Sequence, residues 1–148
     1  MTQHRAAVRM MVADLERMDV HAWASHLAPD VVMRVGNDAP VHGRDGCRDA
    51  LAAFYARIEG LHHDVVELWE HGEATIVEAN VTCRRGDGRD VTLPVVTIYR
   101  AGTDGLISDY RVYADVAPVR APASRPEWGG GGAAGLSDPA APSPVAEA

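Results

Sequence analysis

Apolar positions in the first part of the chain recur at helical spacing. Further along they give way to alternation. Ala7, Val8, Met11, Leu15 and Met18 fall three or four residues apart, which puts one apolar stripe on a helix over residues 4–18. Asp19 has the side chain to cap a second short helix carrying Trp23, His26 and Leu27, with Pro29-Asp30 as its stop. The β-branched run over residues 31–35 predicts a strand, and Gly36-Asn37-Asp38-Ala39-Pro40 is turn chemistry. Asp45 is placed to cap a third helix burying Cys47, Leu51, Phe54, Tyr55 and Ile58, with Gly60 at its end. Strands are then predicted over residues 62–70, 74–84, 91–100 and 106–116. Turns at Gly72, Gly86-Asp87-Gly88 and Asp104-Gly105 separate them. Three helices followed by antiparallel strands is an α+β order and not a βαβ alternation. If the sheet is curved with the helices on its concave side, the two layers enclose a pocket.

Composition sets the limits of that domain. The chain has 148 residues, 47% of them hydrophobic, enough for one core and too few for two. Ala, Gly, Pro and Ser dominate beyond Pro118, so the folded unit is expected over residues 1–118 and a disordered tail over 119–148. Trp128 fits as an isolated aromatic in that tail, or as a side chain folding back over a pocket mouth or a partner. With 14 Lys+Arg against 21 Asp+Glu and no basic cluster, nucleic-acid binding is not expected. Cys47 and Cys83 lack the spacing of a disulfide framework or a zinc site. The first residues carry no apolar leader and no stretch is long enough to span a bilayer, so a cytoplasmic protein without membrane contact is expected. His21 and His26 are five apart, wrong for a metal pair on one helical face, and no metal site is expected. Phosphate-binding loops, GxSxG and HExxH are lacking as well.

The order of elements and four local segments resemble the nuclear transport factor 2-like superfamily and its SnoaL-like members. These segments are Leu27-Ala28-Pro29-Asp30, the run from Pro40 to Asp45, Leu93-Pro94-Val95-Val96, and the run from Gly105 to Asp115. The relatives include polyketide cyclases, ketosteroid isomerases and limonene-1,2-epoxide hydrolases. The resemblance covers roughly residues 5–118. It implies three N-terminal helices on a strongly curved, mainly antiparallel sheet, a cone-shaped α+β barrel with an internal pocket. It also implies a homodimer formed through the outer sheet face. The catalytic positions of the relatives hold other residues here. Those of the epoxide hydrolases fall on Met33, Val35, Asn80-Val81-Thr82 and Val112. Those of the isomerases fall on Val35 or Gly36, Met11 and Val95, and those of the cyclases on Val112 and Thr97.

On the register the resemblance suggests, Trp23, Met33, Val35, Val66, Val95 and Val112 line the pocket, with Thr82, Thr97 and Tyr110 as polar neighbours and Asn37 at its mouth. His63 is the pocket group expected to titrate near neutrality, while His62 and Asp64 point to the other face. His63 reads as a general base or donor, or as a half-buried structural histidine. Asn80, two residues from Thr82, reads as an uncharged donor to a ligand carbonyl, or as part of a cross-strand ladder. Asp38 with His42 reads as an acid/base pair, or as turn chemistry. The function this predicts is a cofactor-free cyclase, isomerase or dehydratase acting on an apolar, polyketide- or terpenoid-like molecule through His63 and Asn80. The alternative is a non-catalytic binding or assembly protein of the same fold.

Overall fold

The computed structural model describes residues 2–122, with side chains from Arg5 onward; residues 123–148, Trp128 among them, lie outside the described residues. In chain order the elements are α1 (Thr2–Glu16), α2 (Val20–Ala24), β1 (Leu27–Val35), β2 (Val41–His42), α3 (Arg44–Tyr55), β3 (Ile58–His71), β4 (Ala74–Arg85), β5 (Asp90–Ala101), β6 (Ile107–Tyr113) and α4 (Ala117–Arg120). The fold is α+β.

Met18 takes a left-handed conformation, φ 57°, and turns the chain out of α1. Asp19 then caps α2, its carboxylate accepting from the Ala22 N–H at 3.0 Å. Leu27, expected on that helix, begins β1 instead, and the strand runs through Pro29. Pro29 is tolerated because the pairing of β1 with β6 is irregular between Leu27 and Val32, so its missing N–H breaks no ladder bond. Asp45 lies in the first turn of α3 and not at its cap, which is Gly43 at φ 87°; there its charge still favours the helix start. Ile58 and Gly60 belong to β3, paired with Arg85 and Arg84 of β4.

The six strands form one sheet in the order β2-β1-β6-β5-β4-β3, with β1 and β6 parallel and every other pair antiparallel. Alternation along β4 decides which face is inner. Thr75, Val77, Ala79, Val81 and Cys83 are buried, while Glu78, Asn80 and Arg84 are exposed. A bulge in β3 between Val65 and Glu67 reverses the parity there: Leu61, His63 and Val65 face in before it and Leu68 after it. Val66, expected inside, keeps the outward parity of His62 and Asp64 and is 53% exposed. Trp69 and Tyr113 are also exposed.

The helices cover the inner face. α1 packs on β3, α3 on β1, and α2 fits against both α1 and α3. Trp23, Met11, Leu27, Val31 and Cys47 are fully buried in the layer between. Buried Tyr55 ties α3 to α1, its hydroxyl donating to the Leu15 carbonyl at 2.9 Å. No helix among the described residues is long and apolar enough to cross a membrane.

Candidate functional site: an interior cavity

Helices and sheet do not close completely on each other. Between them lies a cavity of about 230 Å³. Met33 and Val35 of β1 sit beside Tyr110 and Val112 of β6 in register, so four side chains from the parallel pair share one patch of floor. β5 adds Val95, Thr97 and Tyr99, β4 adds Val81 and Cys83, and β3 adds His63. Leu15, Trp23 and Phe54 form the roof. A mainly apolar hollow with a few polar groups aimed inward is the usual build of a small-molecule site.

The polar groups gather in three places. The first is an aromatic cluster. Tyr110 meets Trp23 edge-on at 5.7 Å between ring centroids and Tyr99 edge-on at 4.7 Å. Burial moves the ionisation of both tyrosines to higher pH, so each keeps its hydroxyl proton and remains a donor. The indole N–H of Trp23 is near enough to Tyr110 to oppose that rise, yet Trp23 Nε1 is buried without a hydrogen bond of normal geometry. The second place is His63. Burial pushes its imidazole below the ordinary range, against the pull of the Glu16 carboxylate, and His62 adds to the lowering. A neutral ring at neutral pH is a competent base. The third is the mouth, where Arg120 donates to both oxygens of Asp38 at 2.9 and 2.7 Å. The Arg120 guanidinium holds the Asp38 carboxyl below its usual value, outweighing the cost of partial burial. This pair joins the β1–β2 turn to α4. The chain is therefore still part of the structure at Val119 and Arg120, both of which line the cavity.

Cys83 also faces the cavity, and burial pushes its thiol up to about 11, so it stays protonated and unreactive. Burial likewise raises Cys47, which is fully buried in the core.

Of the expected site residues, the structure brings Trp23, Met33, Val35, His63, Val95, Thr97, Tyr110 and Val112 together around one cavity. Asn80 and Thr82 require correction, because they lie on the outer face. Asn80 is exposed and stands opposite Pro94 and Asp64, and the Thr82 and Thr92 hydroxyls bond each other at 2.8 Å. The physical reason is parity: His63 pairs with Val81, so the even-numbered residues of β4 point away from it. Asn37 is exposed on an outer depression and does not reach the interior. His42 is exposed, and Asp38 is engaged by Arg120, so those two form no acid/base pair. Tyr99, Glu16 and the Asp38–Arg120 pair are site groups the sequence analysis missed. Tyr99 was legible as the next alternate residue after Val95 and Thr97, whereas the other groups meet only through tertiary contacts.

Two further features lie outside the cavity. The outer depression, about 750 Å³, carries Arg34, Arg111 and Arg120, but each is already bonded: Arg34 to the Asp38 carbonyl, Arg111 to Asp109 and Arg120 to Asp38. Asp14, 8% exposed, accepts from His26 Nε2 at 2.8 Å and pairs with Arg17, which fixes the end of α1 to the segment after α2. No group of His, Cys, Asp and Glu suited to a metal occurs among the described residues.

A six-stranded, mostly antiparallel sheet that holds a cavity under its helices is the architecture of nuclear transport factor 2-like proteins, and comparison with known proteins agrees. The profile of the SnoaL-like domain matches residues 8–110, and the chain belongs to that family. Solved structures share the fold at low identity. A nuclear transport factor 2-like protein of unknown function from Burkholderia pseudomallei is 22% identical, with a TM-score of 0.73 over 80% of this chain and 95% of that one. An epoxide hydrolase of the limonene type from M. tuberculosis is 21% identical, with a TM-score of 0.70 over 80% and 87%. A candidate SnoaL-like polyketide cyclase from a Jannaschia species is 19% identical, with a TM-score of 0.71 over 82% and 94%. No curated protein matches.

Proposed function

We propose that this protein is an acid–base enzyme of the isomerase, cyclase or dehydratase type, acting in the cavity on a compact apolar carbonyl compound. The observation that carries this reading is that a half-buried histidine, its imidazole held below the ordinary range, and two protonated tyrosines line the same apolar hollow. His63 takes a proton from the carbon next to the carbonyl. The C–H electron pair forms a C=C bond as the carbonyl π pair moves to oxygen, and the Tyr110 and Tyr99 hydroxyls donate to the enolate that forms. The low dielectric of the cavity strengthens those hydrogen bonds. Met33, Val35, Val95 and Val112 supply shape and exclude water, and Thr97 is a further polar contact. Volume narrows the substrate class. At about 230 Å³ the cavity is smaller than the roughly 300–1,000 Å³ of typical ligand sites, which favours one or two rings over an extended polyketide.

The test is exchange of the α-protons of 2-tetralone, a two-ring enolisable ketone, followed by NMR in deuterated buffer. The wild type is expected to speed the exchange, and His63→Ala to lower the enzymatic rate by roughly a hundred-fold. Equal rates with and without wild-type protein, or an unimpaired His63→Ala variant, would contradict the reading. Binding without exchange would favour the second reading, a carrier of the same ligand, which is supported by a cavity lining to which no strand contributes a carboxylate.

A further inference from the structure

His63 lies in the wall between two spaces. One is the interior cavity; the other is a cleft of about 360 Å³ beneath α1, whose sides include Arg9, Glu16, Leu68 and Val77. Its Nδ1 is buried without a hydrogen-bond partner. An orphaned buried ring nitrogen is uncommon and calls for a cause. The nearest candidate partner is Glu16, the last residue of α1, with Oε2 3.5 Å from His63 Nδ1. That oxygen is already held by another donor, the backbone N–H of His63 itself. The carboxylate is therefore fixed by the peptide of β3 and not by the ring. A neutral ring gains no hydrogen bond from it at this distance, whereas a protonated ring gains an ion pair.

We propose that Glu16 is the positioning residue for His63, its carboxylate stabilising the imidazolium that His63 becomes on taking a proton from a cavity ligand. This rests on the reading of His63 as the base. The substrate C–H bond breaks, its proton goes to Nε2, its electron pair forms the C=C bond of the enolate as the carbonyl π pair moves to oxygen, and Glu16 stays ionised throughout. A contact that strengthens only as charge develops lowers the barrier more than one already made in the resting state. The other charged or titratable groups at this cleft are Arg9 from α1 and His62 from β3, whose Nδ1 is 3.4 Å from the same Glu16 oxygen. When protonated, both oppose a charge on His63, so Glu16 is the one anion in the cleft that favours it. The remaining cleft residues are Val8, Val12, Ala13 and Val65, which carry no charge.

The experiment follows the ring of His63 through a pH titration by NMR in the intact protein, which needs no substrate. Glu16→Gln keeps an acceptor for the His63 N–H but removes the charge. It is expected to lower the His63 midpoint by about half a unit or more. Glu16→Asp, which keeps the charge but draws it back, should fall between that variant and the wild type. His62→Ala should move the midpoint upward. An unchanged or raised midpoint in both Glu16 variants overturns the proposal. A midpoint that falls in a protein that exchanges no 2-tetralone protons would uphold the coupling and refute the enzymatic reading. Where exchange occurs, Glu16→Gln should lower kcat about ten-fold with KM little changed, and an unchanged kcat would contradict the proposal.

Discussion

At the scale of single residues, the molecule uses buried titratable groups in two different ways. Asp14 is structural. Burial alone would raise its carboxyl, but hydrogen bonds from His26 and Arg17 outweigh burial and hold it below the usual value. A carboxylate depressed in the folded state contributes stability above its unfolded value, and that contribution is lost as pH falls through the folded value. Asp14→Asn should therefore cost about 1–3 kcal/mol at pH 7. The gap to wild type should start to fade near pH 4 and keep narrowing below it. Thermal melts of both proteins at pH 7 and pH 3 check this, and a gap that widens in acid would contradict it. His63 also weakens the fold in acid, but by a cost that appears and not by a contribution that is lost. Its lowered folded value means that the unfolded chain binds protons more readily, so His63 subtracts stability as the solution is acidified below neutrality.

At the scale of elements, the strands decide which side chains can meet. The apolar alternation of β4, from Val77 through Ala79 and Val81 to Cys83, is plain in the sequence and by itself places Asn80 and Thr82 outside. Assigning them inward followed the catalytic pattern of remote relatives, and a shift of one residue on a strand inverts every side chain. The bulge that turns Leu68 inward is a different matter, since nothing in the run from His62 to Glu70 signals where the extra residue falls. β1, β5 and β6 could be read more fully near the cavity, because Met33 and Val35, Val95, Thr97 and Tyr99, and Tyr110 and Val112 alternate there. The consequence for function is direct: Asn80→Ala should leave proton exchange within about two-fold of wild type, since the side chain faces solvent on the outer sheet. A hundred-fold loss in that variant would mean that the register of β4 against β3 is wrong.

At the scale of the whole molecule, the fold was legible because element order and turn chemistry agree from Asp19 to Asp104-Gly105. The mouth of the cavity was not. Asp38 and Arg120 are 82 residues apart, and their pairing depends on α4 returning across the β1–β2 turn. The same closure sets the size of the interior. At the floor of that turn Gly36 has φ +54°, and a Cβ there would come within 3.0 Å of the Ala114 carbonyl oxygen, so the β1–β2 turn lies tight against the chain after β6. On the proposed function, such a cavity would take a compact ligand whose oxygen reaches the tyrosine pair while its ring lies beside His63. The measurement that bears on this most directly is the position of bound 2-naphthol, a stable enolate-like probe, found by crystallography or by NMR contacts to assigned side chains. The naphthol oxygen is expected within hydrogen-bond distance of the Tyr110 or Tyr99 hydroxyl and a ring edge against His63 and Val112. Naphthol found only in the outer depression among Arg34, Arg111 and Arg120, or no binding to an interior that has closed on itself, would contradict it.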